Sequence, residues 1–149
     1  MLREMRVVVS GIVLAAFTVA GAGVAAAQEP AKPAPVMTLE GDAAIVLILI
    51  KAESAADFDT VLAKYREALA KNDNPVRKEQ LSGMKFFKSP ALMSGNAAYF
   101  LSVDPVIKGQ EYDITRVLTE VFPDGVKEYY EKYKAGYAGR QIFVLNKVR

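Results

Sequence analysis

The nine residues Ala43 to Lys51, AAIVLILIK, are apolar at both parities of a strand. Ile45, Leu47 and Leu49 fall on one side, and Val46, Ile48 and Ile50 on the other. A strand with that pattern has to be covered on both faces. It is also too short to span a bilayer. The run therefore predicts a sheet with helices on one face and a second cover on the other. Three long aliphatic side chains on that second face, at roughly 1.5–3 kcal/mol each, favour association. An identical subunit would supply the cover, so a homodimer is expected. The alternative is that the linker or a loop lies across the face.

The remaining elements follow from periodicity and chain breakers. Phe58, Val61, Leu62, Tyr65 and Leu69 form a helical stripe. Ser54 and Asp57 in front of it resemble a capping box. Asn72 to Pro75 stops that helix, and Pro75 to Leu81 allows a short further turn. Met84 to Lys88 and Ala97 to Val103 read as a hairpin with a long connection. Asp113 is placed to cap a helix carrying Ile114, Val117, Leu118 and Val121, and Pro123 interrupts it. A second segment carries Val126, Tyr129, Tyr130, Tyr133 and Tyr137, ended by Gly136 and Gly139. The last strand is expected over Gln141 to Val148. The fold class is therefore α+β, in the order β-α-β-β-α-β, with a four-stranded antiparallel sheet and the second helix split at Pro123.

The amino terminus has a different character. Arg3 and Arg6 form a basic head, Val7 to Val24 is apolar, and Ala25-Ala26-Ala27 precedes Gln28. Those are the three parts of a secretory signal peptide, so residues 1–27 are expected to be removed on export. Residues 28–41 read as a proline-rich linker, since Pro30, Pro33 and Pro35 keep the chain extended. Residues 42–149 form one α+β domain. The exported chain is expected in the periplasm or outside the cell, without stable membrane insertion once the signal is cut.

The element order, with its split second helix, resembles the ferredoxin-like unit of the dimeric α/β-barrel superfamily. The chain is also similar at its start to uncharacterised secreted bacterial proteins. The superfamily resemblance covers about residues 42–148. It implies two four-stranded sheets paired into a barrel with helices outside. It also implies a range of activities that includes cofactor-free monooxygenases, haem-degrading enzymes and small isomerases.

Composition removes several of those chemistries. The 149 residues contain no Cys, no His and no Trp. Disulfides, Cys/His zinc sites and haem held by His or Cys are excluded, as are His-dependent nucleophile pairs. The haem-degrader residues implied by the resemblance are missing with them. No metal site and no cofactor is expected, because the carboxylates form no calcium-type loop. Without Arg3, Glu4 and Arg6, the 19 basic and 17 acidic residues become 17 and 16. A net charge of +1 gives no electrostatic reason to expect nucleic acid.

Polar residues able to line a cavity are few. On the strands they are Lys51, Lys85, Lys88, Tyr99, Ser102, Asn146 and Lys147. Asn146 shares a parity with Ile142 and Val144, which would let its amide orient a ligand; the alternative is a solvated strand end. Tyr99 lies in parity with Leu101 and Val103, as a cavity wall or as a core ring with a wet tip. Tyr130, Tyr133 and Tyr137 recur at spacings of three and four. They form either an aromatic wall for a ligand or a core and interface stripe, and helical spacing alone accounts for the second. Tyr99, Asn146, Tyr130 and Tyr133 are the candidate ligand-binding residues; no catalytic residue can be named. Arg77, Lys78, Lys85 and Lys88, interleaved with Phe86 and Phe87, would suit an anion or would protect an edge strand from aggregation.

The function expected is a small-ligand-binding or structural module, with a small apolar or aromatic ligand held between sheet and helices. The rival is a cofactor-independent enzyme of the monooxygenase or isomerase kind, with a cavity in the dimeric barrel. A third class is a surface that docks a different chain.

Overall fold

A computed structural model describes residues 33–149. The expected signal peptide and the first part of the proline-rich segment lie outside those residues. Four strands and four helices follow one another in the described part. β1 (Ala43–Lys51) leads through a short 3-10 turn into α1 (Ala55–Lys71), then α2 (Pro75–Ser82) and β2 (Met84–Lys88). β3 (Asn96–Val103), α3 (Ile114–Val121), α4 (Val126–Gly136) and β4 (Tyr137–Leu145) complete it. No helix among the described residues is long and apolar enough to cross a membrane.

The local chemistry explains most boundaries. Pro75 ends α1 as expected, and it also opens α2, where its missing amide costs nothing. Asn74 caps that helix through Oδ1 on the Val76 N–H, at 3.1 Å. Asp113 caps α3 in the expected way, accepting from the Arg116 N–H at 3.0 Å. Pro123 separates α3 from α4. The capping box at Ser54 does not form, because the Ser54 side chain makes no cap bond. The 3-10 turn Ala52–Ser54 runs straight into α1, and its own carbonyl at Ala52 accepts the Ala55 N–H.

The carboxyl-terminal strand begins four residues earlier than its sequence suggests. Tyr137, expected on the helix, is extended and pairs with Ile50 of β1. Close packing at Gly136 places the switch. A Cβ there would stand 2.6 Å from Cβ of Ser54 and 3.1 Å from Cγ2 of Ile50. Gly136 therefore lets the end of α4 touch β1, and β4 pairs from the next residue without a loop.

The sheet order is β2-β3-β1-β4, and every neighbouring pair is antiparallel. β1 and β2 run in one direction with β3 between them. That order is compatible with a ferredoxin-like α+β fold. The sheet is open in the single chain, with β2 and β4 as edges.

Register decides which parity of β1 meets the helices. Ala44, Val46, Ile48 and Ile50 enter the main core with Leu101 and Val103 of β3. They meet Phe58, Val61, Leu62, Tyr65 and Leu69, so the whole apolar stripe of α1 is buried as expected. Met37 and Leu39, just before β1, are buried in the same core. The opposite parity forms the other face. Leu47 stands beside Gln141 on one side and Phe100 on the other, with Phe87 next to Phe100. Ile45 stands beside Phe143. Phe87 and Phe143 are exposed, at 55% and 40%. The main core draws on the first parity of β1 alone, leaving Ile45, Leu47 and Leu49 out of it.

A polar corner joins α2, α3 and the segments between them. The Arg77 side chain, 1% exposed, makes a paired contact with Glu120 through Nε and Nη2 at 2.8 and 2.6 Å. Its Nη1 donates to Gln80 Oε1 at 2.7 Å and to the Glu111 carbonyl at 3.0 Å. Asn72 Nδ2 donates to the same Glu120 carboxylate. Arg77 is thus a buried structural residue and takes no part in a basic surface with Lys85 and Lys88. Next to it, the Glu111 carboxylate accepts the N–H groups of Val36, Met37 and Asp113 at 2.6, 2.9 and 2.9 Å. Burial raises the Glu111 pKa, but these backbone donors outweigh it and hold the carboxyl below its ordinary value.

Candidate functional site

A cleft of about 430 Å³ lies where α3 begins, beneath α4 and the first residues of β4. Its aromatic wall is Tyr130, Tyr133 and Tyr137. Tyr130 and Tyr133 share one face of α4 because they are three residues apart. Tyr137 reaches the same wall from the start of β4. Its ring meets Tyr133 edge-on, with centroids 5.7 Å apart and planes at 87°. Behind them Tyr133 packs on Phe58 of α1 at 5.3 Å, which ties the wall to the core.

The polar side of the cleft is mainly cationic. Arg116 comes from the first turn of α3, Lys134 from α4 and Arg140 from β4. Asp113 is the acidic residue in the lining, and its Oδ1 is engaged in capping α3. Among the described residues, neither Arg116 nor Arg140 has a carboxylate within ion-pair distance. Lys134 lies over the Tyr130 ring at 5.7 Å. The Tyr133 hydroxyl is pushed up to about 12, chiefly by burial; Arg140 opposes the shift, while Tyr137 and Asp113 add to it. At neutral pH that hydroxyl stays protonated and can donate a hydrogen bond. Val36 forms another edge of the cleft, in the segment held by Glu111.

Two of the four candidate residues, Tyr130 and Tyr133, come together here. Tyr99 lies elsewhere. It is buried on the helix side of β3, packs edge-on against Phe58 at 4.7 Å, and its hydroxyl donates to Asp59 Oδ1 at 2.7 Å. Burial first, then the hydrogen bond to Asp59, raises its pKa. Lys88 completes that cluster, 2.8 Å from Asp59 and 5.2 Å above the Tyr99 ring. A smaller hollow of about 190 Å³ opens there, lined also by Arg66 and Phe86. Asn146 is exposed and lies one residue past β4, beside Gly41. It lines neither hollow.

Sequence periodicity found the tyrosines but missed Arg116 and Arg140. One signal was available for Arg140. It shares strand parity with Ile142 and Val144, so extending β4 by one residue places it on the helix side. Arg116 has no comparable signal, because only tertiary packing brings the first turn of α3 to β4. Among the described residues no three acidic side chains converge as metal ligands would. No protein-family model, no curated protein and no solved structure matches this chain.

Proposed function

We propose that this chain is an exported small-ligand-binding module that works as a homodimer. The cleft under α4 is the observation that carries the binding role. It has the size of a small-molecule site, an aromatic wall anchored on Phe58 through Tyr133, and a few converging polar groups. An aromatic stripe used only for packing would have no need of two guanidinium groups beside it that lack carboxylate partners among the described residues.

The sheet face opposite the helices supports the dimer. Ile45, Leu47, Phe100 and Phe143 stand together on it by register, with exposed Phe87 at its margin. Leu47 is already buried within the chain and Ile45 and Phe100 are half-buried; a second copy laid face to face would cover the rest of these two together with Phe87 and Phe143, in the manner of the dimeric α/β barrels whose element order the chain resembles. The ligand cleft then lies on the helix side of each subunit, away from the barrel interior. Export rests on the basic, apolar and small-residue pattern of residues 1–27.

Native mass spectrometry of the protein purified gently from its own compartment tests all three statements. The expected species is a dimer of chains beginning at Gln28, carrying an additional small mass. A bare monomer that begins at Met1 would overturn the export, the assembly and the bound ligand together.

A further inference from the structure

We propose that the cleft under α4 binds a small aromatic carboxylate, with its ring against Tyr133 and Tyr137 and its carboxylate between Arg116 and Arg140. Resting on the binding role proposed above, this assignment narrows the ligand to one chemical class. Three positive side chains face one negative side chain in the cleft, and the negative one is committed to capping α3. An anion is therefore favoured over a cation or a neutral molecule.

A guanidinium presents two parallel donors that match a carboxylate. The same chain shows that pairing at Arg77, where Glu120 fills the fork at 2.6 and 2.8 Å. Arg116 and Arg140 have no such partner within the described residues, and both line the hollow where a ligand would sit. The Tyr133 hydroxyl, protonated far above neutral pH, adds a donor. Tyr133 and Tyr137, crossed at 87°, offer one ring a face and an edge at once. A simple inorganic anion would leave that wall unused, and a neutral ring would leave the guanidinium groups unused. A volume of about 430 Å³ admits a molecule of one or two rings.

Titration of the purified protein with 2-naphthoate and with 2-naphthylmethanol tests the assignment. Calorimetry gives the affinities. The carboxylate is expected to bind at least about tenfold more tightly than the alcohol, as for a charge-assisted pair in a partly open site. Arg116→Gln with Arg140→Gln should bring the two compounds within about twofold of each other. Lys78→Gln with Lys85→Gln, which removes two positive charges outside the cleft, should leave the preference in place. Equal binding of both compounds by the unaltered protein would overturn the carboxylate and leave an apolar cleft. A preference that survives loss of both arginines would overturn the location. Failure of both compounds to bind would overturn the binding role itself. Both arginines are exposed, so the variants are expected to fold, and each single substitution should give part of the same loss.

Discussion

Arg77 and Arg140 have the same side chain in opposite settings. At Arg77 three guanidinium nitrogens find acceptors, and the residue is buried. At Arg140 the side chain is exposed and has no carboxylate within ion-pair distance among the described residues. A buried charge is tolerated only when paired and hydrogen-bonded, so the first setting is a requirement of the fold. The second is not required by the fold, and it stands beside a tyrosine wall. The difference separates arginine that holds the chain together from arginine available to a ligand. Glu111 connects the two settings. Its carbonyl accepts from Arg77 and Gln80, and its carboxylate fixes Val36 at the edge of the cleft.

The comparison breaks most visibly at Arg77. Arg77→Leu takes the guanidinium away from Glu120, Gln80 and the Glu111 carbonyl, and leaves only Asn72 on the Glu120 carboxylate and Gln80 on the Glu111 carbonyl among the donors described above. Removing one partner of a buried pair costs about 3–5 kcal/mol. Glu120 keeps some contact with solvent, at 28% side-chain exposure, so the lower end applies. A loss of about 3 kcal/mol, on the order of 10 °C in Tm, is expected from denaturant and thermal unfolding. A change below about 1 kcal/mol would mean that the corner is no more structural than an exposed pair.

Glu111→Gln should have an intermediate effect. A Gln side chain keeps one acceptor oxygen but turns an amide N–H toward a backbone N–H, so a buried donor is left unmet. That costs about 1–3 kcal/mol. The pH dependence has a definite sign. The folded-state value of Glu111 lies below the ordinary 4.5. Its contribution is therefore complete above the ordinary value and disappears as pH falls through the lowered one. Urea midpoints at pH 6 and pH 3 should differ more for the unaltered protein than for Glu111→Gln. Equal differences would show that the carboxylate does not secure the segment at Val36.

Much of this architecture is legible in the sequence, for reasons that differ from element to element. β1 is defined by a run of branched aliphatics, and α1 by a stripe whose five members are all buried. Pro75, Asp113 and Pro123 punctuate the chain through local backbone chemistry. The start of β4 escapes such reasoning. Tyr137 continues the helical spacing, yet the close approach at Gly136 and the free edge of β1 draw it into the sheet. The same tertiary effect hides the cleft. Tyr130 and Tyr133 announce themselves by spacing, whereas Arg116 and Arg140 meet them only after α3, α4 and β4 have packed. Tyr99 shows the converse: its parity places it correctly on a lined face, but Asp59 of α1 takes its hydroxyl. A candidate chosen by parity becomes a ligand group only if no neighbouring element satisfies it first.

The smallest effect on stability is expected at the cleft arginines themselves. Arg116→Gln and Arg140→Gln remove exposed charges that hold no ion pair among the described residues, so each should change unfolding free energy by less than about 0.5 kcal/mol. A slight gain is consistent with relief of repulsion among Arg116, Arg140 and Lys134, three like charges around one hollow. Such relief should fade as salt screens those charges, and unfolding at low and high ionic strength measures it. A loss of 1 kcal/mol or more at either position would show that the guanidinium group serves the fold, as Arg77 does. The contrast between the two kinds of arginine would then fail, and the cleft would lose its strongest mark of a ligand site.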